Sequence, residues 1–158
     1  MKNVKQQLSE EQLNVLLVGN NPIEMGRILD NLNRVPGKKI ITEIAFDIRS
    51  ILERLLKFNP NFILIDDNIG RSELALAIDA LSSNSKTRDI PITVLKNSNY
   101  SESGGTSPGI LDYLLKQNLS PEVLYNALKN SFKFRRTQLY LYNAYQKRKG
   151  ELLRFVQL

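Results

Sequence analysis

The sequence predicts an α/β domain, a doubly wound five-stranded parallel sheet with the fourth helix weakened or missing and an extended C-terminal helix. Three observations predict it. Short apolar runs alternate with segments of helical period across residues 13–133, the pattern of βα units that feed a parallel sheet. One interval between two of these runs lacks any helical period. The last helical segment continues well past the length needed to cover a sheet.

The first run is NVLLV, residues 14–18, and it ends in the polar turn Gly19-Asn20-Asn21. IEMGRILDNL follows, with Ile23, Ile28, Leu29 and Leu32 as the stripe expected to pack on a sheet. Pro36-Gly37 breaks the chain before KIITEIA, the second strand, and IRSILERLLKF is the second helix, with Ile48, Ile51, Leu52, Leu55 and Leu56 on one side. FILI, residues 62–65, is the third strand, ELALAIDAL the third helix, and ITVL, residues 92–95, a fourth strand introduced by Pro91. ILDYLLK holds the fifth. Ser120-Pro121-Glu122 then opens a helix with a capping hydroxyl, a proline in the first turn and an acid against the helix dipole.

Between the fourth and fifth strands, residues 96–109 read KNSNYSESGGTSPG. Tyr100 is the only large apolar residue there, so no amphipathic helix is expected, and a mobile loop or a single helical turn is. The expected organisation is a polar N-terminal lead over residues 1–12, the α/β domain over 13–133, and a basic, aromatic-rich helical extension over 134–158.

Composition excludes several chemistries. The 158 residues contain no cysteine and no histidine, so disulfides, the usual zinc sites and histidine-based nucleophile pairs are ruled out. No GxxxxGK, no GxGxxG and no nucleophile-base pair occurs, and an enzyme is not expected. No apolar run approaches the length of a membrane span and the start is polar rather than a signal sequence, so a cytoplasmic location is expected. The net charge of +6 is unevenly placed: residues 1–128 hold 14 Lys and Arg against 15 Asp and Glu, and residues 129–158 hold 8 against one. The basicity belongs to the tail.

In a sheet of this kind the carboxyl ends of the strands form the ligand-binding rim. Here that rim is expected to gather Gly19, Asn20 and Asn21, then Asp66 and Asp67, then Lys96, and finally Lys116. Asp67 is counted with the rim, although strand alternation would turn it away if the strand continued through it.

At this point the sequence resembles the receiver domain of bacterial two-component response regulators. FILIDD resembles that family's third strand, which implies that Asp66 is the phosphoryl acceptor or its vestige. DYLLK resembles the fifth, which implies that Lys116 contacts the phosphoryl group and that Tyr113 is the switch aromatic. Two motifs depart from the family. Its acidic cluster after the first strand is Gly19-Asn20-Asn21 here, and its Ser or Thr at the end of the fourth strand is Lys96. The cluster binds Mg²⁺ in the family, and a hard cation wants anionic oxygens, so Mg²⁺ binding is expected to be weak or absent and no other cofactor is implied. Lys96, with Lys116, is expected to neutralise Asp66 as a charge-locked rim; the alternative is that Lys96 begins a solvated loop.

The tail places Tyr125, Leu128, Phe132, Leu139, Tyr142, Leu153 and Val156 at heptad spacing, interrupted by Arg135, Gln146 and Lys149, and Gly150 is a candidate break. The expected function is a receiver-like signalling domain, degenerate at its acidic site, acting through protein contacts and through a homodimer formed by the C-terminal helix. The resemblance implies a histidine kinase or an output domain as partner. The competing readings are a conventional receiver phosphorylated on Asp66 and a binder of nucleic acid or anionic membrane surface using the basic tail, of which the last is the weaker because no helix-turn-helix follows the domain.

Overall fold

The computed structural model describes residues 12–97 and 109–156. Its element order is β1 (Gln12–Val18), α1 (Pro22–Asn33), β2 (Lys39–Ala45), α2 (Ile48–Leu55), β3 (Phe62–Asp66), α3 (Arg71–Ser83), β4 (Ile92–Lys96), β5 (Ile110–Leu115) and α4 (Pro121–Val156), with short 3₁₀ turns over Asp67–Ile69 and Lys116–Asn118. The five strands run parallel in the order β2-β1-β3-β4-β5. The predicted fold class is the observed one. Of the interval 96–109 in which no fourth helix was expected, Lys96 ends β4, and residues 98–108 lie outside the described residues.

Strand alternation divides the core into two layers. Val15, Leu17, Phe62, Leu64 and Leu95 face α1 and α4, where they meet Met25, Ile28, Leu32, Leu124, Ala127 and Leu128. Leu16, Val18, Ile63, Ile65, Ile92 and Val94 face α2 and α3, where they meet Ile51, Leu55, Ala77, Ile78 and Leu81. β1 and β3 are buried on both sides, which explains why their sequences are continuous apolar runs rather than alternating ones.

Three details differ from the sequence reading. In α1 the inward residue of the first turn is Met25, which shares the buried face with Ile28 and Leu32, and Ile23 is 79% exposed. In α2 only Ile51 and Leu55 are buried together with Ser50; Leu52 and Leu56 face outward. Asp47 and Ser50 cap this helix reciprocally, the Ser50 N–H donating to Asp47 Oδ1 (2.7 Å) and Ser50 Oγ accepting from the Asp47 N–H (3.0 Å). In α4, Gly150 does not interrupt the helix, which continues to Val156.

α4 has two regimes. Leu124, Ala127, Leu128 and Ser131 are buried against the body, with Tyr125 and Phe132 packed at the edge of the same layer. From residue 133 to residue 156 every side chain is exposed or largely so, including Leu139, Tyr140, Leu141, Tyr142, Tyr145, Leu152, Leu153 and Phe155. The first three of the seven heptad positions, Tyr125, Leu128 and Phe132, therefore serve the body, and the other four are exposed.

Candidate functional site

The parallel ladder aligns the ends of β1, β3 and β4, with Val18 beside Ile65 and Asp66 beside Leu95. Asp66, the last residue of β3, is fully buried. Its Oδ1 accepts from the Asn68 N–H (2.9 Å), which starts the following 3₁₀ turn, and forms an ion pair with Lys116 Nζ. Its Oδ2 is buried with no hydrogen-bond partner. Lys116 begins the 3₁₀ turn after β5, and its side chain is 13% exposed.

The second partner of Lys116 is Glu24, whose Oε2 lies 2.8 Å from Nζ. The sequence reading missed this carboxylate. The strand ends yield only Asp66 and Asp67 as acids, whereas Glu24 lies one step further on, in the helix after the turn. The available signal was Asn21-Pro22, a cap and first-turn proline that put Glu24 in the opening turn of a helix rising from the same rim. Asn21 is that cap: its side-chain oxygen accepts from the Ile23 and Glu24 N–H groups (3.0 and 3.1 Å). Asn21 thus orients Glu24. Asn20 is exposed.

Gly19 is buried, and its N–H donates to the Ala45 carbonyl (2.9 Å), extending the β1–β2 ladder by one residue. It does not adopt a left-handed conformation. Space is what requires glycine here: a Cβ would collide with Met25 Sδ and would sit 3.2 Å from Asp66 Cβ. Met25 and Asp66 occupy the volume into which a side chain at position 19 would project.

One expectation about the other rim residues needs correction. Lys96 makes no ion pair with Asp66 among the described residues; its ammonium lies over the Tyr113 ring, 4.0 Å from the centroid. The strand register explains this, since Lys96, the last residue of β4, lies beside Leu115 of β5, and Tyr113 is two residues before Leu115 on the same face of β5. Asp67 does not turn away from the rim. The chain leaves strand geometry at Asp66, so alternation no longer applies, and the Asp67 carboxylate receives the Asn97 N–H and feels both Lys116 and Lys96.

The charges shape one another in a consistent way. Burial pushes the Asp66 carboxyl above its usual range, offset in part by Lys116 and the Asn68 N–H. The hydrogen bond from Lys116 holds Glu24 below the ordinary glutamate value against the opposing effect of burial. Burial alone would lower Lys116, but Asp66 and Glu24 together outweigh it and hold the ammonium above its usual value. Asp67 is pushed up by burial, against the pull of the two lysines. The result is an ammonium bridging two carboxylates from different elements, beside a separate cation–π pair. Among the described residues, no group of three or more acidic, histidine or cysteine side chains is placed to hold a metal ion.

No family model and no curated protein matches the sequence. Solved structures do. The receiver domain of a sensor histidine kinase from Pseudomonas aeruginosa PAO1, with magnesium coordinated in its active-site cleft, superposes with a TM-score of 0.64 at 18% identity, covering 77% of this chain and 98% of that one. A chemotaxis response regulator of Vibrio cholerae gives a TM-score of 0.58 at 22% identity over 77% of this chain and 99% of that one. The N-terminal domain of a response regulator, sensory box and GGDEF protein from Carboxydothermus hydrogenoformans gives 0.62 at 17% identity over 80% and 98%. With its sheet order, two helical layers and rim at the strand carboxyl ends, the fold of this chain is that of the receiver domains of response regulators and sensor kinases.

Proposed function

We propose that this domain is a receiver-like signalling module whose rim is set by internal ion pairs and which acts through protein contacts rather than through metal-dependent phosphoryl transfer. The observation that carries this reading is the engagement of Lys116 by both Asp66 and Glu24. Phosphoryl transfer is accelerated by positioning and by neutralising charge. In a receiver that neutralisation comes from a metal held by acids at the end of β1, where this chain has Gly19 and the exposed amide Asn20. Asp66 and Glu24 already share one ammonium, and this donor set does not fit a hard dication that wants several free anionic oxygens. Lys96 over Tyr113 supports the same reading, because the residue that would answer a phosphoryl group is engaged with the aromatic instead.

The partners that fit are a histidine kinase or an output domain, and a second copy paired along the exposed part of α4. No helix among the described residues is long and apolar enough to cross a membrane, and a cytoplasmic signalling role is in keeping with that. The module itself performs no catalysis in this reading.

A second reading, a conventional receiver phosphorylated on Asp66, is favoured by the unpartnered, buried Asp66 Oδ2 and by the Lys116 contact. One experiment separates them: incubation with acetyl phosphate and Mg²⁺, followed by intact-mass and peptide mass spectrometry. The expected result is no phosphate on Asp66. Stoichiometric labelling lost in Asp66→Asn would establish the second reading.

A further inference from the structure

Glu24 belongs to none of the motifs that single out the rim, yet it is the residue through which α1 touches β5's end. Its position is imposed rather than incidental. Pro22 begins the helix, Asn21 caps it on the Glu24 N–H, and the side chain of a first-turn residue leans back toward the helix N-terminus, over the strand ends. It reaches Lys116 at 2.8 Å while remaining 31% exposed, and its carboxylate also lies beside that of Asp66, so swinging into solvent breaks the Lys116 contact and separates two like charges.

We propose that Glu24 is a tethered anion: it occupies Lys116 and holds external oxyanions of phosphate size out of the rim. The proposal rests on the reading of the rim given above. The charge inventory supports it. Asp66, Asp67 and Glu24 face Lys116 and Lys96, with the exposed Arg27 also acting on Glu24. Removing Glu24 takes one negative charge from the rim and leaves Asp66 as the carboxylate paired with Lys116. The buried Asp66 Oδ2 lies in the same rim and accepts no hydrogen bond there. A covalently tethered competitor acts at an effective concentration in the millimolar range or above. It therefore masks a site whose intrinsic affinity for a free anion is modest.

The test is amide-detected NMR titration with inorganic phosphate at neutral pH and about 0.15 M salt, a level that screens the basic tail. The proteins are wild type, Glu24→Gln, Glu24→Ala and Glu24→Ala combined with Lys116→Met. In Glu24→Ala, shifts confined to the ends of β3 and β5 and the start of α1 are expected to saturate at roughly tenfold lower phosphate than in wild type. Glu24→Gln, which keeps the side chain's volume and first-turn position, should fall between the two. The double variant should lose the effect. Identical titrations of wild type, Glu24→Gln and Glu24→Ala would overturn the proposal, as would binding that survives loss of Lys116. Covalent labelling of wild-type Asp66 by acetyl phosphate would instead defeat the functional reading above. It would leave this noncovalent competition to be judged on its own outcome.

Discussion

Replacing Lys116 by methionine tests the rim most directly. Methionine preserves much of the length of the lysine stem and removes only the charge. What it leaves behind is the fully buried Asp66, with the Asn68 N–H on Oδ1, nothing on Oδ2, and Glu24 nearby as a like charge. Breaking a buried pair from one side costs about 3 to 5 kcal/mol. The lower end applies here, about 3 kcal/mol, since Asp66 has a way to escape: its carboxyl, already pushed up by burial, takes up a proton. With a urea m-value of about 2 kcal/mol per molar, the unfolding midpoint should fall by about 1.5 M at neutral pH.

The proton escape fixes the sign of the pH dependence. An acid whose folded-state value is raised binds protons better when folded, so it costs stability as pH rises above its unfolded value, toward and past the folded one. The deficit of Lys116→Met relative to wild type should accordingly shrink at about pH 5 compared with about pH 7. Adding Asp66→Asn should restore most of the loss, giving a coupling energy above about 2 kcal/mol, because no buried charge is then left unpaired. Circular dichroism during urea unfolding measures all of this. A deficit that is the same at both pH values and is not recovered by Asp66→Asn would mean that Lys116 matters for packing, and the ion-pair account of the rim would fail.

Three further outcomes are expected. Gly19→Ala should cost about 1 to 3 kcal/mol in thermal or chemical unfolding, because its Cβ meets Met25 Sδ; shortening the obstacle with Met25→Ala should make the two changes less than additive. Leu139→Glu or Leu153→Glu on the exposed stretch of α4 should lower the dimer fraction in sedimentation velocity without moving the melting temperature of the body, while a monomeric wild type at high micromolar concentration would remove the helix-pairing idea. Lys116, held above the ordinary lysine value of 10.5 by Asp66 and Glu24 despite its burial, contributes stability that is complete below that value and is lost as pH rises through the higher folded one; melting curves of wild type should therefore fall more steeply than those of Lys116→Met above about pH 10.5.

The sheet was legible because its strands carry the pattern that burial on both faces demands. FILI and NVLLV are continuous apolar runs since β3 and β1 have a helical layer on each side. Helix rotation was less legible. The apolar residues of α1 and α2 span more of the circumference than the sheet covers, so Ile23, Leu52 and Leu56 fit the period yet face outward. At the rim, strand order brought Asp66 and Lys116 together on paper as in the structure. Glu24 stayed hidden because its approach depends on a cap and a helix axis, neither of which is a spacing between acids. Lys96 illustrates the converse. Its position at the end of β4 was right, but two lysines near one acid suggested an ion pair, and sequence alone gave no measure of the nearer Tyr113 ring.

The continuity of α4 has a mechanical consequence. Its last residue buried in the body is Ser131, and the same helix runs unbroken to Val156. At 1.5 Å per residue those 25 further residues make a rod about 37 Å long, rooted in the layer that also holds α1 and β5's neighbours. A rod fixed at one end multiplies rotation into travel: tilting its root by about 5° sweeps the tip through about 3 Å, more than half a helical pitch. A repacking of Leu124 and Leu128 too slight to alter the sheet would thus shift the far end by a distance that another protein can read.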